Sequence, residues 1–94
     1  MLFGDKKRTT ETERILRALG NNRRLLIVQL LHKEGSLPVG TVAEKIQLSF
    51  TSTSKHLRIL AHANVVESKQ TSTTVQYSLP KQRHPILIAT LKTA

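Results

Sequence analysis

Apolar and polar positions recur at a helical spacing over most of this chain, most clearly from Leu48 to Asn64. At about 100° per residue, Thr53, Leu57, Leu60 and Ala61 share one stripe, while Thr51, Lys55, Arg58 and His62 occupy the opposite face. One face packs and the other stays in water. Ser49 stands where its side chain can accept from the free N–H groups of the first turn, and Asn64 ranks next after Gly for the left-handed residue that closes a helix. The wet face carries hydroxyls, an ammonium, a guanidinium and an imidazole, with no carboxylate between Gln47 and Val66. Such a face suits contact with phosphates and base edges. It would also serve as the solvated side of an amphipathic helix in a basic protein, and the neighbouring segments favour the first reading.

Upstream, Met1 to Thr9 reads as a basic lead-in whose Lys6, Lys7 and Arg8 form a solvated tail rather than a groove-reading arm. Thr10 or Thr12 caps a first helix with the apolar edge Ile15, Leu16 and Leu19, ending at Gly20. Asn21 or Asn22 caps a second, whose Leu25, Leu26, Ile27, Val28, Leu30 and Leu31 are apolar almost all round, as in a central buried helix; Gly35 ends it. Arg23 and Arg24 sit in its first turn, where the helix dipole disfavours cations, so either a nearby anion compensates them or they are ordinary surface arginines.

Pro38 keeps Leu37 extended, making Ser36 to Gly40 a short connector. Val39, Val42, Ala43 and Ile46 then carry a helix of about two turns that ends near Gln47. A short helix, a tight turn and a second helix with a polar face make a helix-turn-helix over 39–64, which presents the second helix to the major groove. Val65-Val66 and Val75 to Leu79 are β-rich runs separated by Lys69 to Thr74, predicting a hairpin, or wing, over 65–79 with a polar tip. Pro80 breaks the second run and Pro85 starts a last helix. Its Ile86, Leu87, Ile88, Ala89 and Leu91 cover nearly the whole circumference, more than one small core buries from one side. The dimer interface expected from this pattern combines Ile15, Leu16 and Leu19 with Ile86, Leu87, Ile88 and Leu91. The fold class is therefore mainly α with a small β-hairpin: one winged helix-turn-helix domain over 1–94, with about five helices and a two-stranded wing, 10–19 and 84–92 being the dimerisation helices.

Bulk properties narrow the partners. With 94 residues, 38% of them apolar, the chain supports a single small core of marginal stability, to which a partner subunit can add. Fifteen Lys and Arg against six Asp and Glu give a formal charge of +9, favouring nucleic acid first and an anionic membrane surface second. The absence of Cys excludes disulfides and thiolate metal sites. One Tyr, two Phe and no Trp leave no aromatic platform for single strands. No apolar run suits a signal peptide or a membrane span, so a cytoplasmic protein without membrane partners is expected. The six carboxylates, Asp5, Glu11, Glu13, Glu34, Glu44 and Glu67, form no catalytic set with Ser or His, and an enzyme is not expected.

From about Leu16 to Leu79 the chain resembles the winged-helix repressors of the arsenical-resistance (ArsR/SmtB) type. The likeness rests on Leu19-Gly20-Asn21-Asn22-Arg23-Arg24 before a Leu-rich helix, on Val42-Ala43, on Ser54-Lys55-His56-Leu57-Arg58-Ile59-Leu60, and on Tyr77-Ser78-Leu79 closing the wing. It implies a homodimer joined through the first and last helices, two recognition helices reading an inverted repeat, and release of DNA when a ligand binds. Where metal-sensing members carry Cys-Val-Cys, this chain has Pro38-Val39-Gly40, and His84 stands in the last helix without a neighbouring acid, so no metal site and no cofactor are expected. His32 reads as a surface residue and His56 as a structural one at the edge of the packed stripe. Ser72 and Thr73 replace the Gly and Arg usual in the wing.

The candidate site follows. Lys55 with Thr51 and Ser52 reads base edges; Ser49, Ser54, Arg58, Lys69 and Arg24 hold phosphates. Double-stranded DNA and a second copy of the chain are the expected partners, with the effector open. The alternative is a winged-helix interaction module that places the same basic face on an acidic partner without reading sequence.

Overall fold

The computed structural model describes residues 6–93, with side chains from residue 10 onward. Five helices and three short strands follow in the order α1 (Lys6–Leu19), α2 (Asn22–Glu34), β1 (Leu37–Pro38), α3 (Val39–Ile46), α4 (Phe50–His62), β2 (Glu67–Thr71), β3 (Thr74–Ser78) and α5 (Pro85–Thr93). α1 begins ahead of the expected caps. Nothing from Lys6 to Arg14 is Gly or Pro, and Lys, Arg and Glu are good helix formers, so the helix runs through Thr10 and Thr12 instead of starting at either. Residues 1–5 of the expected lead-in, and the side chains of Lys6, Lys7 and Arg8, lie outside the described residues.

Asn21 is the cap of α2: its backbone is extended at φ −154° and its side-chain oxygen accepts from Arg24 N at 3.1 Å. Gly35 closes the helix at φ 83°, its N–H bonding to the Leu31 carbonyl at 2.9 Å. The apolar girdle of α2 places Ile27, Val28 and Leu31 at the centre of the core, joined by Ile15, Ala18 and Leu19 of α1, Val42 of α3, Leu57 and Leu60 of α4, and Leu87 of α5.

Two expectations about the β structure are corrected. The connector around Pro38 is a strand: Leu37 pairs with Tyr77 and Pro38 with Gln76, giving an antiparallel sheet in the order β1-β3-β2. An edge position tolerates a proline that cannot donate, and the pairing partner lies far away in sequence. The wing strand β2 is Glu67–Thr71, not Val65-Val66, which are buried and lead into it. All five β2 residues are exposed, so no inside–outside alternation marks them. Lys69, Gln70, Thr71 and Thr74 consequently pair in the ladder, and the tip is only Ser72 and Thr73, with Ser72 in the left-handed region at φ 57°.

The last helix starts as expected at Pro85, with His84 Nδ1 accepting from Ile86 N at 3.1 Å. Of its apolar residues only Leu87 is buried, while Ile88 is 41% exposed and Ile86 and Leu91 are half-buried.

Within α4, Leu57 is fully buried, and so is Thr53, whose Oγ1 has no hydrogen-bond partner among the described residues. A buried hydroxyl without a partner costs free energy that an isosteric methyl does not. Thr53→Val should therefore raise unfolding stability by ~1 kcal/mol, whereas Leu57→Ala should lower it by ~2–5 kcal/mol through the cavity it leaves. Urea denaturation of the two variants and the parent checks both signs.

Candidate nucleic-acid interface

α3 and α4 meet through three residues. Gln47 ends α3 in the left-handed conformation at φ 57°, its N–H directed to the Ala43 and Glu44 carbonyls, and Leu48 N bonds to Ala43 O at 3.0 Å. Ser49 then opens α4 by accepting from Ser52 N at 3.1 Å. The joint is closed by backbone bonds on one side and a side-chain cap on the other, which fixes how α4 leaves α3. Ser49 uses an acceptor lone pair in this cap, so its O–H proton remains free to donate to a phosphate.

Thr53, Leu57 and Leu60 are buried, and Thr51, Lys55, Arg58 and His62 are exposed, as the periodicity predicts. Ser52 and Ser54 are half-buried along the border between the two faces. Ser54 and Arg58 line a cleft between α4 and the wing with Thr73, Thr74 and Tyr77. Lys69 projects from β2, opposite Gln76 and just behind the tip, so it belongs to the ladder rather than the loop. The face therefore has hydroxyls at the helix N-terminus, where free backbone N–H groups and the positive dipole end attract anions, and two cations further along.

Phe50 also belongs to this face, although its position on the helix does not mark it. It continues the angular stripe of Thr53 and Leu57, but it occupies the first turn, which overhangs the core, and it is 61% exposed at the mouth of the same cleft. Periodicity reports direction around a helix, not the depth of packing at its end.

Arg24, expected to hold a phosphate, has its donors engaged within the fold. Its Nε donates to Ala18 O at 2.6 Å, one terminal nitrogen reaches Arg17 O at 3.3 Å, and the other meets His56 Nδ1 at 3.1 Å. Ala18 and Arg17 lie in the last turn of α1, whose carbonyls have no partners within the helix, so the guanidinium closes α1 while touching α4. Burial lowers the His56 pKa below its ordinary value, and the charges of Arg24, Arg23 and Lys55 lower it further. A neutral imidazole that accepts at Nδ1 carries its proton on Nε2, which makes His56 the structural residue expected.

Elsewhere, His32 is exposed with Nδ1 3.2 Å from Arg83. The fold brings an acid to His84 that its sequence neighbourhood lacks: Glu11 of α1, whose Oε1 lies 3.8 Å from Nε2. No group of three or more potential metal ligands occurs among the described residues. None of their helices is long and apolar enough to cross a membrane.

Two helices at a tight joint, the second capped and polar on its free face, with a hairpin beside it, define a winged helix-turn-helix domain. The profile described as "Bacterial regulatory protein, arsR family" matches residues 21–68, and the chain belongs to that family. It is 40% identical to the nodulation protein NolR of Rhizobium meliloti over 63 residues, covering 67% of this chain but only 51% of NolR, so the chain spans about half the length of that relative. Among solved structures, HlyU from Vibrio cholerae superposes with a TM-score of 0.77 at 27% identity, covering 94% of this chain and 91% of HlyU. A homodimeric winged helix-turn-helix DNA-binding domain from Mycobacterium bovis shares the fold with a TM-score of 0.81 at 23% identity, covering 96% of this chain and 80% of that one.

The lowered His56 pKa has a consequence for stability. Above the ordinary value of about 6.5 the imidazole is neutral folded and unfolded. As pH falls below it, the unfolded chain takes up the proton first, so this contribution to stability is lost as pH drops toward the folded value. His56→Gln keeps an acceptor for Arg24 but cannot titrate. The fall in urea midpoint between about pH 7.5 and about pH 5.5 should be smaller in His56→Gln than in the parent.

Proposed function

We propose that this chain is a sequence-specific, double-stranded-DNA-binding transcriptional regulator that reads an inverted repeat as a homodimer and represses by occupying it. The observation that carries the reading is the carboxylate-free exposed face of α4, with Thr51, Lys55 and Arg58 displayed by a helix whose start and back are both tied down. Lys55, with Thr51 and Ser52, addresses base edges; Arg58, Ser49, Ser54 and Lys69 hold phosphates. Phe50 adds an apolar contact at the helix start, whose natural counterpart in the major groove is the thymine methyl group. Arg24 acts behind this face, fixing α4 against α1 through His56.

The dimer reading draws on apolar surface that one protomer leaves uncovered. Leu16 is 54% exposed on α1 and Ile88 41% exposed on α5, with Ile86 and Leu91 half-buried. The His84–Glu11 contact sets the start of α5 beside α1, so both helices can join one interface. Ile15, Leu19 and Leu87 lie within the protomer's own core, and their part in association is to hold the outer residues in place. The Mycobacterium bovis domain that shares this fold is homodimeric, which supports a homodimer here without specifying its interface. The regulator works in the cytoplasm, without catalysis and without a resident metal or cofactor, since Pro38-Val39-Gly40 stands where thiolate sensors carry Cys.

Selection of duplexes from a random library by the purified chain tests the DNA reading. The expected outcome is a two-fold symmetric motif with half-sites about one turn apart, ~34–36 Å, and affinity that falls with a log–log salt slope of about −0.9 per phosphate neutralised. Lys55→Ala should relax base preference by ~1–3 kcal/mol at its position, while Arg58→Ala weakens all duplexes about equally and Phe50→Ala reduces thymine preference. An unenriched pool would discard the reading in favour of an interaction module for an acidic partner. Identical base preferences in the parent and Lys55→Ala would discard the role given to that residue.

For the dimer, Leu16→Glu with Ile88→Glu places charge on the uncovered surface but not in the core. Sedimentation equilibrium should show the parent as a dimer and the double variant as a folded monomer. A parent that is monomeric at about 100 µM, well above the Kd of a stable dimer, would overturn this part of the proposal.

A further inference from the structure

A groove of about 600 Å³ runs between α1 and α4, on the side of the recognition helix away from the wing. Its size lies within the range of small-molecule sites. Arg14 and Arg17 form one wall and Lys55 and Arg58 the other; Glu13 pairs with Arg17 at 3.5 Å from outside the groove, and no carboxylate is among the described lining residues. The floor is apolar: Ala18 and Ala63 are buried there, and Ile59 is 40% exposed over them. At the end of the groove Arg24 is held by Ala18 O, Arg17 O and His56. Those bonds keep the Arg24 guanidinium at the end of the groove.

Phosphate of a duplex, or an inorganic anion, would satisfy the cations and leave Ile59 in water. An uncharged apolar molecule would do the reverse. A molecule with an anionic head and a hydrocarbon body satisfies both, because the two kinds of surface line one cleft. Arg14 stands about 160° around α1 from Leu16, so a dimer closed over Leu16 leaves the groove open. We propose that this groove binds a small amphipathic organic anion, a carboxylate or sulfonate with a hydrocarbon body. Because Lys55 and Arg58 form one wall, the occupied groove opposes DNA binding. This antagonism rests on the DNA-binding reading; occupancy of the groove does not.

Titration calorimetry of the full chain with sodium decanoate, kept below its micelle concentration, tests occupancy with no DNA present. Sodium sulfate supplies charge alone and decanol the apolar body alone. The expected result is one decanoate per protomer, bound at least about tenfold more tightly than either control, the ratio that ~1.4 kcal/mol produces. Arg14→Gln with Arg17→Gln removes charge from the wall, and Ile59→Gln removes the floor; each should weaken decanoate binding at least about tenfold while the far-UV circular dichroism stays that of the parent. Sulfate binding as tightly as decanoate, decanoate binding unchanged in both variants, or no saturable binding would each overturn the groove assignment. In a second arm decanoate is titrated against the chain bound to its selected duplex, and displacement is expected. Saturable decanoate binding without displacement would overturn the antagonism alone, and failure to select any duplex motif would remove the DNA reading while leaving the groove in place.

Discussion

Leu57 and Leu60 of α4 lie in the same buried cluster as Ile27, Val28 and Leu31 of α2, and that packing determines where the opposite side of α4 points. A helix has only one rotation about its axis, so burying two leucines and Thr53 sets the directions of Thr51, Lys55 and Arg58 together. Each buried Leu contributes roughly 1.5–3 kcal/mol relative to exposure, far more than any single surface contact of the free face. The candidate interface is thus oriented from behind. The Ser49 cap and the left-handed Gln47 then set where along that axis the polar face begins.

Arg24 adds a polar tie to this apolar one. Three helices converge on its guanidinium: α1 through two unpaired carbonyls, α2 through the backbone that carries it, and α4 through His56. The arrangement works only while His56 is an acceptor, which is why burial and three neighbouring cations, by holding the imidazole neutral, also hold the helices together. A strongly basic protein would otherwise be pushed apart by such a cluster. Directing the Arg24 donors at carbonyls and a neutral ring turns part of that charge into structure.

Of the other cations, Arg14, Arg17, Lys55 and Arg58 line the two walls of the α1–α4 groove, and among the described residues five large apolar side chains stay exposed: Leu16 on α1, Leu26 on α2, Phe50 and Ile59 on α4, and Ile88 on α5. A core this small cannot cover every apolar side chain on five helices. In the proposed roles, Leu16 and Ile88 would meet a second copy, Phe50 a duplex and Ile59 a small anion, while Leu26 takes part in none of them.

Much of this was readable from local chemistry. The order of the helices, the Asn21 and Ser49 caps, the left-handed Asn64 and the division of α4 into packed and wet faces all depend on residues within one or two turns of each other. Gln47 and Ser72 adopt the same left-handed conformation without announcing it, because neither is a residue type that favours it; the packing around the joint and the pairing of the wing impose it. Pairing across distance was equally hidden: Leu37 with Tyr77 makes a third strand, and the register of β2 against β3 moves the wing tip to Ser72-Thr73. So was the convergence of Arg24 on His56, of Glu11 on His84, and of Arg14 with Lys55 around one groove. Periodicity reports which way a side chain points from its own helix. What it meets there depends on how the helices dock, a property of the folded chain as a whole.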